Sequence, residues 1–145
     1  MTPSFSIRPY TAADLPACAA LFQRVMHETF PEDDPATYAA ATFAGHTAGE
    51  CLWVAQVGAQ IVGLASLWPS GPFLHFLMVE ARWRGRGIGT ALMDAVVRAA
   101  GASADLKCRV GNTAAQRFYE AAGWQEVSRD LECAEPYIRY RLTRS

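Results

Sequence analysis

The sequence predicts a single α/β domain, a central sheet of mixed strand direction with helices as crossovers. Three observations carry this prediction. Apolar runs of strand length alternate with segments whose apolar residues recur at helical spacing. Two successive runs, Cys51 to Gln56 and Gln60 to Trp68, are parted only by Val57-Gly58-Ala59, as in a β-hairpin. The remaining runs are separated by helical segments or turn clusters, so parallel and antiparallel neighbours must coexist.

In chain order, Ser4 to Arg8 is a short alternating strand limited by Pro9. Thr11 to Asp14 opens a helix from about Ala12 to Thr29, where Pro16 is tolerable only because it sits near the start. Its apolar stripe is Leu15, Cys18, Ala19, Phe22, Val25, Met26 and Phe30. Asp34-Pro35, read as N-cap and first helical residue, opens a second, alanine-rich helix towards Gly45. After the hairpin, Pro69 to Pro72 is a turn cluster. Phe73 to Val79 is a strand whose near-continuous hydrophobicity predicts burial on both faces. Ile88, Ala91, Leu92, Ala95, Val96 and Ala99 form the stripe of the next helix, which Gly101 stops. Asp105 to Val110 alternates as a strand, and Asn112 or Thr113 caps a helix that Gly123 ends. Trp124 to Arg129 and Tyr137 to Leu142 are the last two strands.

The stretch with chemical content lies between Val79 and Met93. Gly85, Gly87 and Gly89 alternate with other residues just where a helix begins, and Arg82, Arg84 and Arg86 surround them. Glycine lets backbone approach a ligand closely. The first N–H groups of a helix have no partner within it, and the macrodipole favours an anion there. Strand, glycine-rich turn and helix start together read as a phosphate cradle. A dinucleotide fingerprint fails in register, since Thr90 or Leu92 falls at its last glycine, and no lysine follows as a P-loop needs.

Composition narrows the classes. The 145 residues suffice for one domain, residues 1–145, with a real core, and 51% hydrophobic with 19% charged residues is ordinary for a globular chain. A net charge of -1 gives no footprint for nucleic acid, and no apolar stretch has the length of a membrane span. The N-terminus has no apolar signal core, and Cys18, Cys51, Cys108 and Cys133 are far apart without a C-x-x-C. They read as small buried hydrophobes rather than a metal site, and a cytoplasmic setting is expected.

What remains of the glycine stretch is Arg84-Gly85-Arg86-Gly87-Ile88-Gly89, which fits the pattern [RQ]-x-x-G-x-[GA]. With it go the Arg8-Pro9 start, Val62-Gly63 in the hairpin, and Val79 five residues ahead of Arg84. Asn112-x-x-Ala115-x-x-Phe118-Tyr119-x-x-x-Gly123-Trp124 and Pro136-Tyr137-Ile138 follow. On these residues the chain resembles the GNAT superfamily of acyl-CoA-dependent N-acyltransferases along nearly its whole length. It departs at Ala81, where many relatives carry proline.

The resemblance implies a sheet of about six to seven strands with four helices, splayed between the fourth and fifth strands. It implies acetyl-CoA as co-substrate and no metal. Backbone N–H groups of Arg84, Gly85, Arg86, Gly87, Ile88, Gly89 and Thr90 would hold the pyrophosphate. Backbone near Leu77, Met78 and Val79 would pair with the pantetheine arm, a form of β-augmentation. Asn112 would both cap its helix and touch the cofactor. Tyr119 matches the tyrosine that many relatives use to protonate the departing thiolate.

Amide formation also needs a neutral amine, so a base is sought. His75, in the otherwise apolar strand Phe73 to Val79, is the leading candidate because the imidazole is the side chain suited to proton exchange at physiological pH, with a satisfied core histidine as the alternative reading. Phe73 replaces the base glutamate of histone-type relatives, and Glu80 alternates away from His75. His27 and His46 carry no motif. Glu32, Asp33 and Asp34 read as a solvated turn more readily than as an attractor for an amine, and Trp53, Trp68 and Trp83 as core more readily than as an acceptor pocket. The expected partners are acetyl-CoA and an amine acceptor, without nucleic acid or membrane, in a monomer or homodimer. The expected function is N-acetyl transfer by direct attack in a ternary complex. A non-catalytic acyl-CoA-binding module on the same fold is the alternative.

Overall fold

The computed structural model describes residues 4–144. Seven strands form one sheet in the order β1-β2-β3-β4-β5-β7-β6. They are β1 (Ser6–Pro9), β2 (Cys51–Val57), β3 (Gln60–Trp68), β4 (Phe73–Val79), β5 (Ser103–Arg109), β6 (Gln125–Asp130) and β7 (Tyr137–Thr143). Four α-helices lie over it: α1 (Leu15–Thr29), α2 (Phe43–His46), α3 (Ile88–Ala100) and α4 (Thr113–Ala121). The mixed sheet with four helices that the sequence predicts is therefore observed.

The splay is observed as well. Every neighbouring pair is antiparallel except β4 and β5, which run parallel and pair only at Phe73 with Asp105 and Leu74 with Leu106. Beyond Leu74 the two strands part. The edge of β4 that would have faced β5 is left without a partner strand.

Helices on both faces bury two cores. Ile88, Leu92, Met93, Val96 and Val97 of α3 pack on Val62, Ala65, Leu74 and Leu106 from the sheet, with Trp124 and Tyr140 alongside. Gly63 admits this approach, because a Cβ there would lie 3.0 Å from Leu92 and 3.1 Å from the Met78 carbonyl. On the opposite face Cys18, Leu21, Phe22 and Val25 of α1 pack on Val54, Leu64 and Met78. Phe22 is fully buried against Tyr38, Phe43 and Phe76, so truncating it to alanine costs roughly 3–5 kcal/mol. Leu15, placed on the α1 stripe by spacing, is exposed instead, because Pro16 occupies the first turn and the helix docks from Cys18 onward.

Three expectations need correction. The alanine-rich segment after Asp34 is not one helix. Asp34 does cap it, accepting the Ala36 N–H at 3.0 Å, but two 3₁₀ turns follow, broken by Ala39 at φ −58°, ψ 145°. Tertiary contacts override alanine's propensity here: Tyr38 drops into the core, and the carbonyls of Pro35 and Thr37 are taken by His27 and His46. Strand β4 is not buried on both faces, since only Leu74 and Met78 are buried and His75 is exposed. Of the four cysteines, Cys18 and Cys108 are buried, and burial pushes their thiols up to about 12 and about 11. Cys51, opening β2, is exposed, and Cys133, in the β6–β7 loop, is half-buried.

Candidate active site

The glycine-rich turn is built to leave donors unused. Gly87 is the N-cap of α3 at φ +85°, a left-handed conformation that side chains rarely adopt. It offers no capping side chain, and the first intrahelical bond is from Ala91 N–H to the Gly87 carbonyl at 3.0 Å. The N–H groups of Ile88, Gly89 and Thr90 therefore have no partner in the helix. Gly85, at φ +76°, turns the preceding loop the same way. The three arginines are engaged by the protein. Arg82 donates to Glu80 at 3.0 Å, Arg84 Nε donates to the Val79 carbonyl at 3.0 Å, and Arg86 lies over the Trp83 ring at 4.8 Å.

The edge of β4 adds a second set of backbone groups. Phe76 N–H donates to Ser66 Oγ and Glu80 N–H to the Val62 carbonyl, both towards β3. Because successive residues alternate, the N–H groups of Leu77 and Val79 point into the splay, whereas Met78 directs its backbone at β3. At the far end of the same strand Leu67 pairs with Leu74 and Ser66 with Phe76, so His75 is an extra residue, a β-bulge. The bulge sets His75 and Phe76 side by side, their rings stacked at 3.9 Å.

Both sets open into one cavity of about 910 Å³ running through the splay. Leu77, Met78, Val79, Arg84, Gly85, Gly87, Ile88, Gly89, Thr90 and Asn112 line it, as do Tyr119 and His75. Arg86 does not line it. Asn112 caps α4, accepting the Ala115 N–H at 3.2 Å. Tyr119, on the same helix, packs edge-on against Phe118 and Trp124. Its hydroxyl makes no hydrogen bond among the described residues. Burial, with Cys108 nearby, pushes that phenol well above its ordinary range, so it is a proton donor at neutral pH.

The end of the cavity past His75 was largely invisible in the sequence. Phe30, Tyr38, Phe76 and Tyr137 line it with His46. Arg109 ties this end together. It makes paired bonds to Asp33 at 3.1 and 2.7 Å, donates to Tyr38 Oη at 2.9 Å, meets Glu135 at 3.1 Å and covers the Phe30 ring at 3.8 Å. Arg109, and then the Tyr38 hydroxyl, hold Asp33 below the usual carboxylate range. Burial, and then the bond to Asp33, push Tyr38 up to about 12. Asp33 is thus paired with Arg109, and Asp34 caps the following turn, while Glu32 and Asp34 remain exposed. Among the tryptophans only Trp83 lines the cavity; Trp53 packs on the core and Trp68 is exposed. Glu80 is buried on the α1 side, bound by Arg82, Gln60 and Arg24. Glu50 is a residue the sequence did not single out: its Oε2 lies 2.6 Å from His75 Nδ1. Asp33 and Arg109 are 76 residues apart and Glu50 and His75 are 25 apart, so no local pattern announces either contact.

Comparison with known proteins agrees with this geometry. A family model described as the Acetyltransferase (GNAT) family matches residues 15–124. A GCN5-related N-acetyltransferase structure from Rhodopseudomonas palustris superposes with a TM-score of 0.79 at 22% identity, covering 99% of this chain and 98% of the other. The PaiA N-acetyltransferase of Thermoplasma acidophilum, solved in complex with coenzyme A, gives 0.78 at 14% identity over 97% and 99%. A GNAT-family acetyltransferase from Staphylococcus aureus Mu50 gives 0.78 at 19% over 97% and 99%. At these identities the structures share the fold. Among curated proteins no significant sequence match is found.

Proposed function

The chain belongs to the GNAT acetyltransferase family, and on that premise we propose that it moves an acetyl group from acetyl-CoA to a primary amine by direct attack in a ternary complex. One observation carries the reading: unpartnered helix-start amides, an unpaired strand edge, a protonated tyrosine and a histidine all line a single cavity. The residues fit acetyl-CoA on their own chemistry, since the Gly85 to Thr90 turn presents amides to an anion and the splay accepts an extended arm. Acetyl-CoA supplies the activated thioester.

The protein's part follows from its groups. Amides from Arg84 to Thr90 hold the pyrophosphate, with Asn112 beside it. Leu77 and Val79 pair with the extended arm, and an N–H of this edge polarises the carbonyl where negative charge develops. His75 removes the ammonium proton, directly or through a water. Tyr119 donates a proton to the departing sulfur. The aromatic lining beyond His75 favours an amine carried on an apolar or aromatic body.

Two measurements test this. Acetyl-CoA above its Kd is expected to raise Tm, whereas ATP and NAD do not; the reverse result removes the cofactor assignment. Thiol release from acetyl-CoA, screened over arylalkylamines, polyamines, amino acids, aminoglycosides and peptide N-termini, is expected with at least one primary amine and fastest with an arylalkylamine. Binding without release for any amine would make the protein an acyl-CoA-binding module.

A further inference from the structure

We propose that Glu50 is a positioning residue for His75. Its buried carboxylate fixes the imidazole as the Nδ1–H tautomer and leaves the Nε2 lone pair free in the cavity to take the acceptor's proton. The inference rests on His75 being the base.

Glu50 ends the turn that enters β2, and its side chain is only 6% exposed. Oε2 meets His75 Nδ1 at 2.6 Å, a short hydrogen bond to a carboxylate. An ionised carboxylate only accepts, so a neutral imidazole in this contact must carry its proton on Nδ1. Nε2 is then an acceptor, and it has no protein partner among the described residues. The ring is held twice, by Glu50 at one corner and by the Phe76 ring stacked at 3.9 Å on its face. The bulge at His75 brings these constraints together.

The second oxygen of Glu50 leaves His75 as the carboxylate's one side-chain partner among the described residues. Among the described residues, Oε1 is the one buried side-chain oxygen with no hydrogen-bond partner. The pairing gains most when the imidazole is protonated and the buried carboxylate faces a full positive charge. That is the state His75 enters on taking a proton. The other charged groups on this wall are engaged elsewhere: Arg109 with Asp33 and Glu135, Lys107 over the Tyr137 ring at 4.6 Å, and His46 with the Thr37 carbonyl.

The proton balance is simple. One ammonium proton passes to Nε2, and the freed lone pair attacks the thioester carbon as the carbon–sulfur bond breaks. The sulfur takes the proton of Tyr119, and the second amine proton, released as the amide forms, restores Tyr119. His75 returns its proton to solvent beside Glu50.

The test uses the whole protein labelled with ¹⁵N-histidine, alone and with acetyl-CoA. Ring nitrogen shifts report which nitrogen is protonated, and His75→Ala identifies the signal among the three histidines. Neutral His75 is expected as Nδ1–H in the native protein and as a mixture or the other tautomer in Glu50→Gln. On the amine that native enzyme acetylates fastest, Glu50→Gln is expected to lower kcat roughly 10–100-fold, part of what a general base supplies. Acetyl-CoA Kd should stay unchanged, and the His75→Ala background should show no further loss. An Nε2–H tautomer in the native protein, or an equal loss from Glu50→Gln with and without His75, overturns the inference. If His75→Ala leaves turnover and its pH profile intact, the base assignment itself falls. If His75→Ala removes the neutral limb while Glu50→Gln changes neither tautomer nor turnover, only the role of Glu50 falls.

Discussion

Tyr119 is a packing residue to which the proposed mechanism also assigns chemistry. Its ring is packed by Phe118, Trp124 and Tyr140, and the residue lines the cavity. Because burial raises its pKa, the phenol keeps its proton across the neutral range. Tyr119→Phe is expected to lower kcat about 10²-fold while acetyl-CoA Kd, measured by calorimetry, stays within about twofold. Unchanged turnover from pH 6 to 9 would return Tyr119 to the core alone. Tyr119 and Asn112 were legible because their helix carries its own register. Glu50, Tyr38 and Arg109 were not, because each acts through a partner brought near only by the sheet.

At the scale of elements, the start of α3 separates backbone from side chain. A Cβ on Gly87 has open space, so the cost of substitution lies in its φ of +85°. Forcing a side chain into that region costs about 1–3 kcal/mol or shifts the loop. Gly87→Ala is therefore expected to weaken acetyl-CoA binding by at least about tenfold in calorimetry. Arg86→Ala, which loses only its stack on Trp83, should change Kd by less than about fivefold. A larger loss from Arg86→Ala than from Gly87→Ala would mean that side-chain charge holds the anion. Gly89 differs again: a Cβ there makes ordinary contacts with Phe118 at 3.5 Å and Val79 at 3.9 Å, so the protein itself has room for a side chain. The motif was readable because glycine spacing is local. The bulge at His75 was not, because period-two reading assumes an unbroken strand, and the segment after Asp34 was misread because the contacts of Tyr38 lie outside any window.

Over the whole molecule, carboxylates bound by arginine tie separate elements together. Asp14, at the start of the first helical turn, takes paired bonds of 2.8 Å from Arg8 on β1 and a 2.8 Å bond from Thr11 N–H. Arg8 above all holds its carboxyl well below the usual range. Arg141 and then Arg139 do the same for Asp105 on β5. Such groups add stability above their unfolded pKa of about 4 and lose it as pH falls towards the lower folded values. Tm is thus expected to hold near neutrality and drop below about pH 4. Asp14→Asn should cost about 1–3 kcal/mol at pH 7 and flatten that acid arm in thermal unfolding. An acid arm as steep as the parent's would assign the effect elsewhere. The fold class was legible because strand and helix periods are strong over these lengths; the parallel pair of only two rungs was not, because pairing extent depends on two strands at once. That short seam has a consequence for the protein's survival. It leaves an unpaired edge in the middle of the sheet, the kind of surface that templates aggregation when it meets another extended chain. A ligand pairing with that edge would shield it, so aggregation on heating is expected to slow when acetyl-CoA is added, as light scattering would show.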